Sequence, residues 1–169
     1  MLDPRALFDD FQRHLPHLTA RNDADVEDQF LDRKEACKAD PSGTVSNSQV
    51  SNLRDQVVEC ISAFANTNHQ GGLVVVGISK TGEVRGINHL SDQQRNSITN
   101  FNVVLRNHAV QVKLVDCTDL NGGDNKLILI FVPYTRDGIC ETAENRPKSW
   151  RRNGSANVFL DDRQRAVDP

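Results

Sequence analysis

Two short stretches of this chain concentrate side chains able to act on a phosphodiester or to hold one. The first, Glu27-Asp28-Gln29-Phe30-Leu31-Asp32-Arg33-Lys34, sets two carboxylates, Glu27 and Asp32, five residues apart, with Lys34 two residues beyond the second. Hard divalent cations take oxygen ligands, so such a pair is suited to Mg²⁺ or Mn²⁺ beside a scissile phosphate. The same spacing also fits a solvated acidic lead-in to a strand, with Asp32 and Lys34 as a weak surface pair. If the segment is extended, Phe30, Asp32 and Lys34 share one face. The second stretch places four bases, Arg146, Lys148, Arg151 and Arg152, and the only tryptophan, Trp150, within seven residues. That combination offers charge to phosphates and a ring to bases. An equally simple reading buries Trp150 in a core and leaves the bases solvated.

Other chemistries lack their residues. Gly71, Gly72 and Gly77 form neither a G-x-G-x-x-G turn nor a Walker loop, which would need Lys where Ile78 stands. His14 and His17 are separated by Pro16, and His69, His89 and His108 are scattered, so no four-ligand zinc set appears. There is no G-x-S-x-G nucleophile elbow. Cys37, Cys60, Cys117 and Cys140 stand singly without a C-x-x-C and read as reduced structural thiols.

A chain of 169 residues suffices for one domain with a sizeable core. Its hydrophobic content of 37% and charged content of 25% describe a polar-surfaced globule. The longest apolar run, residues 127–132, falls far short of the roughly 20 residues of a membrane span. With neither a basic start nor an apolar stretch at the N-terminus, a cytoplasmic location is expected. The net charge of -3 is uneven: residues 1–32 carry eight acids against three bases, and residues 33–160 fifteen bases against twelve acids. A pI near 5.9 argues against strong delocalised polyanion binding and leaves room for a local basic patch.

The elements that must position these residues follow from periodicity. Asp3 and Pro4 open a helix carrying Leu7, Phe8, Phe11 and Leu15 on one face, expected to end near Pro16. Residues 19–25 form a joint, so residues 1–22 are expected to be a helical extension of a domain spanning 23–169. Residues 40–48 read as a loop. Val50, Leu53, Val57, Ile61 and Phe64 make an amphipathic helix packed on a core. Residues 73–78 are a β-branched run suited to a central buried strand. Thr81-Gly82 predicts a hairpin into residues 83–87. Ser91 to Gln94 has capping-box spacing, opening a helix whose face continues through Ile98, Phe101, Val104 and Leu105. Val110, Val112 and Leu114 alternate as a half-exposed strand, Asn121-Gly122-Gly123 turns, and residues 127–132 form a second buried strand. Two more short strands are expected between Gly138 and Gly154. This order indicates a mixed α/β (α+β) single domain, a mixed sheet flanked by helices.

The ordered motifs resemble the AlbA_2 domain, also called the Schlafen AlbA_2 or divergent AAA-4 domain. Glu27 to Lys34 resembles its E-x-x-x-x-[E/D]-x-K opening. Ser62-Ala63-Phe64-Ala65-Asn66-Thr67, then Gly71-Gly72, Val75-Val76-Gly77-Ile78, Gly82 and Gly86, resembles its A-F-A-N-T-x-G-G strand and turn. Trp150-Arg151-Arg152-Asn153-Gly154-Ser155 resembles its closing aromatic-x-R-x-G-S segment. The resemblance covers about residues 24–157. It implies a DNA- or RNA-binding module of transcriptional regulators, with Lys34, Lys80, Arg146, Lys148, Trp150, Arg151 and Arg152 as nucleic-acid-binding residues and no cofactor.

In Schlafen-type relatives the same core implies a metal-dependent endoribonuclease using three acids. Glu27 and Asp32 match the first two as catalytic and metal-binding residues for Mg²⁺ or Mn²⁺, and Ser79-Lys80-Thr81 stands where the third acid belongs. Two further departures are Asn68-His69-Gln70, where one residue is usual, and Arg33, where an apolar residue is usual. A protein-interaction domain whose bases meet acidic partners is the third reading. A homodimer, and a further domain in a longer chain, complete the expectations for partners.

Overall fold

The computed structural model describes residues 3–19, 21–101, 104–106, 108–136 and 138–161. Helix α4 (Asn47–Thr67) is the longest element, and the expected stripe of Val50, Leu53, Val57, Ile61 and Phe64 is buried along it. Ser46 caps it, its Oγ accepting from Gln49 N at 3.2 Å. α4 joins two parallel strands, β1 (Leu31–Lys34) and β2 (Gly72–Val76). A four-stranded mixed sheet runs in the order β1-β2-β5-β4, where β4 is Gln111–Thr118 and β5 is Asp124–Val132. β2 is buried throughout, as a β-branched run with neighbours on both edges must be.

Strand alternation divides the core into two layers. Val74, Val76, Ile128 and Ile130 pack against α4 and against Ile98 of α5 (Asp92–Thr99). Leu73, Val75, Leu127, Leu129 and Phe131 pack against Leu7 and Phe8 of α1 (Pro4–Asp9) and Phe11 and Leu18 of α2 (Phe11–Leu18). The N-terminal helices therefore close one face of the sheet; their apolar stripe is core. The interruption between them falls at Asp10 (φ -132°, ψ 54°), and Pro16 lies inside α2 instead of ending it. A single turn, α3 (Asp23–Val26), leads to β1.

Two expectations about local pairing are corrected. The expected hairpin at Thr81-Gly82 returns antiparallel but shrinks to one bridge, Ile78 to Val84, with Ser79 N donating to Glu83 O at 2.9 Å. Both edges of β2 are taken by β1 and β5, so a returning chain finds hydrogen-bonding partners only beyond the strand's end. There Gly77 takes φ +121°, and a Cβ would stand 2.5 Å from Leu127 Cδ2. The capping box of α5 is present, but the helix stops at Thr99. Phe101 and Leu105 still reach the α4 layer, Leu105 from the short strand β3 (Leu105–Arg106), which pairs with β6 (Glu141–Thr142).

The last elements among the described residues form a ribbon of β7 (Ser149–Asn153) and β8 (Ala156–Leu160), turned by Gly154 at φ +60° and packed on α4. No helix among the described residues is long and apolar enough to cross a membrane.

Candidate functional site

The register of β1 decides what its charged residues meet. Leu31 lies opposite Leu73 and Asp32 opposite Val74, so Leu31 and Arg33 face the N-terminal helices while Asp32 and Lys34 face α4. Arg33, the polar residue in an apolar place, is buried and bonded through all three of its guanidinium nitrogens. It donates to Leu18 O at 2.7 Å and Arg21 O at 2.8 Å, and its ion pair with Asp23 measures 2.9 Å. It thereby fastens the joint between α2 and α3 to the sheet.

On the opposite face, Asp32 is 2% exposed and held between two cations. Arg152 Nη1 of β7 donates to Asp32 Oδ2 at 2.9 Å, and Lys34 Nζ lies 2.8 Å from Oδ1. Arg152 also donates to Asp28 O from Nε (3.2 Å) and Nη2 (2.8 Å), to Leu31 O at 3.1 Å and to Asn157 Oδ1 at 2.8 Å. All five N–H donors of the guanidinium are thus engaged inside the protein. Its plane also lies 4.8 Å from the centroid of the Phe64 ring.

Glu27 stands beside the same cluster. Its carboxyl is pushed up to about 8, first by burial, then by the nearby charges of Asp32 and Asp23 and by hydrogen bonding with Asp32. The lysine is shifted upward as well: although burial opposes its charge, Cys60, Asp32 and Glu27 all favour the ammonium form. Beneath them Cys60 is fully buried, accepts from Asn157 Nδ2 at 3.3 Å, and has its thiol pushed up to about 12, chiefly by burial. Around Asp32 the cluster thus gathers two cations, Arg152 and Lys34, beside the raised carboxyl of Glu27.

The helix-end motif positions this cluster. Ser62 Oγ donates to Cys140 O at 2.8 Å and accepts from Trp150 N at 3.0 Å. Asn66 Nδ2 donates to Trp150 O at 3.1 Å, and Thr67 Oγ1 accepts from Arg152 N at 2.9 Å. One turn of α4 therefore pins the backbone of β7 at the height where Arg152 meets Asp32. Phe64 lies under Gly72, where a Cβ would come within 2.2 Å of its ring. The longer turn after α4 has a role too: Asn68, buried, donates to Gln29 O at 2.7 Å and accepts from Gln29 Nε2 at 2.8 Å.

The basic stretch is divided by the ribbon. Arg152 and Trp150 point inward, against the expectation that both meet a ligand: the first is spent on Asp32, and the second is 9% exposed and packed edge-on to Phe159. Arg151 is half-buried, and Arg146 and Lys148 are exposed in and beside the preceding loop. Lys148 and Lys34 converge on Glu59 of α4, where both favour its ionised form against the effect of burial. Lys80 is exposed in the turn after Ser79, its carbonyl accepting from Asp23 N at 2.9 Å.

The position of a third acid belongs to Ser79, which is buried; its Oγ accepts from Glu83 N at 3.0 Å. Glu83 itself pairs with Arg85 and Asp116 with Lys126. Among the described residues, no group of three or more His, Cys, Asp or Glu side chains is placed to hold a metal ion. Glu27 and Asp32 do come together, but the residues do not fit a divalent ion, because both oxygens of Asp32 already face cations. Sequence reasoning missed Asn157 and the Asp32–Arg152 pair. The only available signal was that Trp150 and Arg152 alternate on one face of a strand.

Comparison with known proteins agrees with this architecture. Residues 27–161 match the family model described as Schlafen, AlbA_2, leaving α1 to α3 wholly outside it. The fold is similar to that of the DIP2311 protein from Corynebacterium diphtheriae, with a TM-score of 0.54 at 21% identity over 93% of this chain. The chain spans 27% of the length of that protein. No curated protein matches it.

Proposed function

The chain belongs to the Schlafen AlbA_2 family, and from that premise we propose that it is a nucleic-acid-binding domain that holds phosphates without hydrolysing them, in the setting of transcriptional regulation. The observation that carries this reading is the buried Arg152–Asp32 pair. A cleaving site needs Asp32 free to take a divalent ion, yet here it neutralises an arginine whose removal would leave a buried charge. Arg152 and Lys34 stand 2.9 and 2.8 Å from the two oxygens of Asp32, where a metal ion would have to displace them. Exposed Lys148 and Arg146, with Lys34 and Lys80, supply the phosphate contacts. Trp150 and Arg152 act as framework.

Charge reversal tests it. Arg146→Glu with Lys148→Glu should weaken binding to all sequences alike and lower the slope of log K against log salt by about 0.7–0.9 per lost contact. An unchanged affinity and slope would move the interface elsewhere.

A further inference from the structure

β8 exposes a large aromatic next to the densest basic stretch of the chain. Phe159 is 52% exposed, whereas Trp150, directly opposite it on β7, is buried and meets its ring edge-on at 5.9 Å and 71°. The indole thus fixes one edge of the phenyl ring, and the ribbon beneath it is pinned to α4 by Ser62, Asn66 and Thr67. A ring held so loses little freedom when something stacks on it.

We propose that Phe159 is a stacking platform for an unpaired nucleobase of a single-stranded nucleic acid whose phosphates run past Lys148 and Lys34. The inference rests on the nucleic-acid-binding reading above and adds to it the strandedness of the ligand and the residue that holds a base.

Three features select a base over an apolar partner. Val158, the neighbouring exposed residue, points to the opposite side of the ribbon, so the two do not merge into one apolar patch of the size a protein or lipid contact uses. The strand paired with β8 is preceded by the exposed bases Arg146 and Lys148, which suits a polyanion. Lys148 precedes Trp150 by two residues, on the order of 7 Å along the strand, close enough for one nucleotide to place its base on Phe159 and its phosphate on the ammonium. A duplex hides its base faces in the stack, so a lone exposed ring is useful only to an unpaired base.

The test measures binding of a fluorescent single-stranded oligonucleotide about twelve nucleotides long, DNA and RNA in parallel, against a version with abasic sites and against the duplex. Expected are preference of the full chain for the base-bearing single strand, and a loss of about 5- to 100-fold in Phe159→Ala with an unchanged salt slope. Phe159→Trp should retain affinity within about threefold, since it keeps a π-face. Lys148→Glu should do the reverse of Phe159→Ala, lowering the slope while preserving discrimination against abasic sites. Thermal melts show whether each variant is folded. If wild type binds and folded Phe159→Ala binds equally well, the platform is wrong and phosphate binding stands. If Phe159→Ala instead changes only the sedimentation of the protein, the ring covers a protein surface and the platform is also wrong. If wild type binds neither single strand nor duplex, both readings fall.

Discussion

Replacing Arg152 by methionine keeps much of its volume and removes every polar contact its side chain makes. Asp32 then keeps Lys34 and its hydrogen bond with Glu27, while Asp28 O and Leu31 O lose the donors that Arg152 supplies and Asn157 Oδ1 loses its partner. Removing one member of a buried ion pair typically costs about 3–5 kcal/mol. Lys34, 2.8 Å from Oδ1, still offsets part of the orphaned charge, which places Arg152→Met at about 3 kcal/mol. At about 2–4 °C per kcal/mol for a chain of this size, the melting midpoint should fall by roughly 6–12 °C. Urea titration followed by Trp150 fluorescence measures the same loss, because the only tryptophan lies two residues from the change. The reasoning is sharpened by Asp32→Asn. With no charge left to neutralise, the double variant should cost less than the two singles together by at least about 1 kcal/mol. Lys148→Met, at an exposed site, should stay within about 0.5 kcal/mol of wild type. A cost for Arg152→Met below about 1 kcal/mol, or strict additivity with Asp32→Asn, would refute the pairing as the core of this site.

The raised Glu27 carboxyl makes the folded state bind a proton that the unfolded chain, with an ordinary value of 4.5, has released. Its contribution to stability is therefore full below pH 4.5 and lost as pH rises to about 8, by about 1–2 kcal/mol once solvent screening of a half-exposed group is allowed for. Glu27→Gln should remove that part of the slope, so the difference between variant and wild-type denaturation curves should grow from pH 5 to pH 8.5; a flat difference would mean that Glu27 titrates normally. Gly72→Ala forces a methyl into the Phe64 ring and should cost about 3 kcal/mol by urea titration, with a loss under 1 kcal/mol contradicting the packing described. Arg33→Leu should speed amide exchange over residues 4–26 while sparing β2 and β5, since it unfastens the α2–α3 joint from the sheet; uniform protection would deny Arg33 that role.

Much of the frame was legible because burial writes a period into the sequence. Val50 to Phe64 repeats every three or four residues and the run ending at Ile78 is apolar throughout, so α4 and β2 followed directly. The same period-two logic placed Asp32 and Lys34 on one face of β1. What stayed hidden depends on contacts between distant parts of the chain. Asp32 and Arg152 are 120 residues apart, and nothing local to either distinguishes a buried pair from two solvated charges. β8 was missed because its outer positions are exposed, leaving no apolar alternation to read. The expected hairpin shrank to a single bridge for a reason outside its own segment: β1 and β5 had already filled both edges of β2. The basic stretch announced itself by composition, but only the hydrogen bonds of α4 to the β7 backbone decide which bases turn inward.

The central claim, that the domain binds nucleic acid and leaves it intact, is tested most directly by one incubation. End-labelled tRNA and single-stranded DNA are mixed with the protein at concentrations that saturate binding, with Mn²⁺ present, and both the bound fraction and the length of the label are read. The account predicts a salt-sensitive complex from which full-length nucleic acid is recovered. Cleavage that requires Mn²⁺ and disappears in folded Asp32→Asn would contradict it, because Asp32 would then be a metal ligand and not the counter-charge of Arg152.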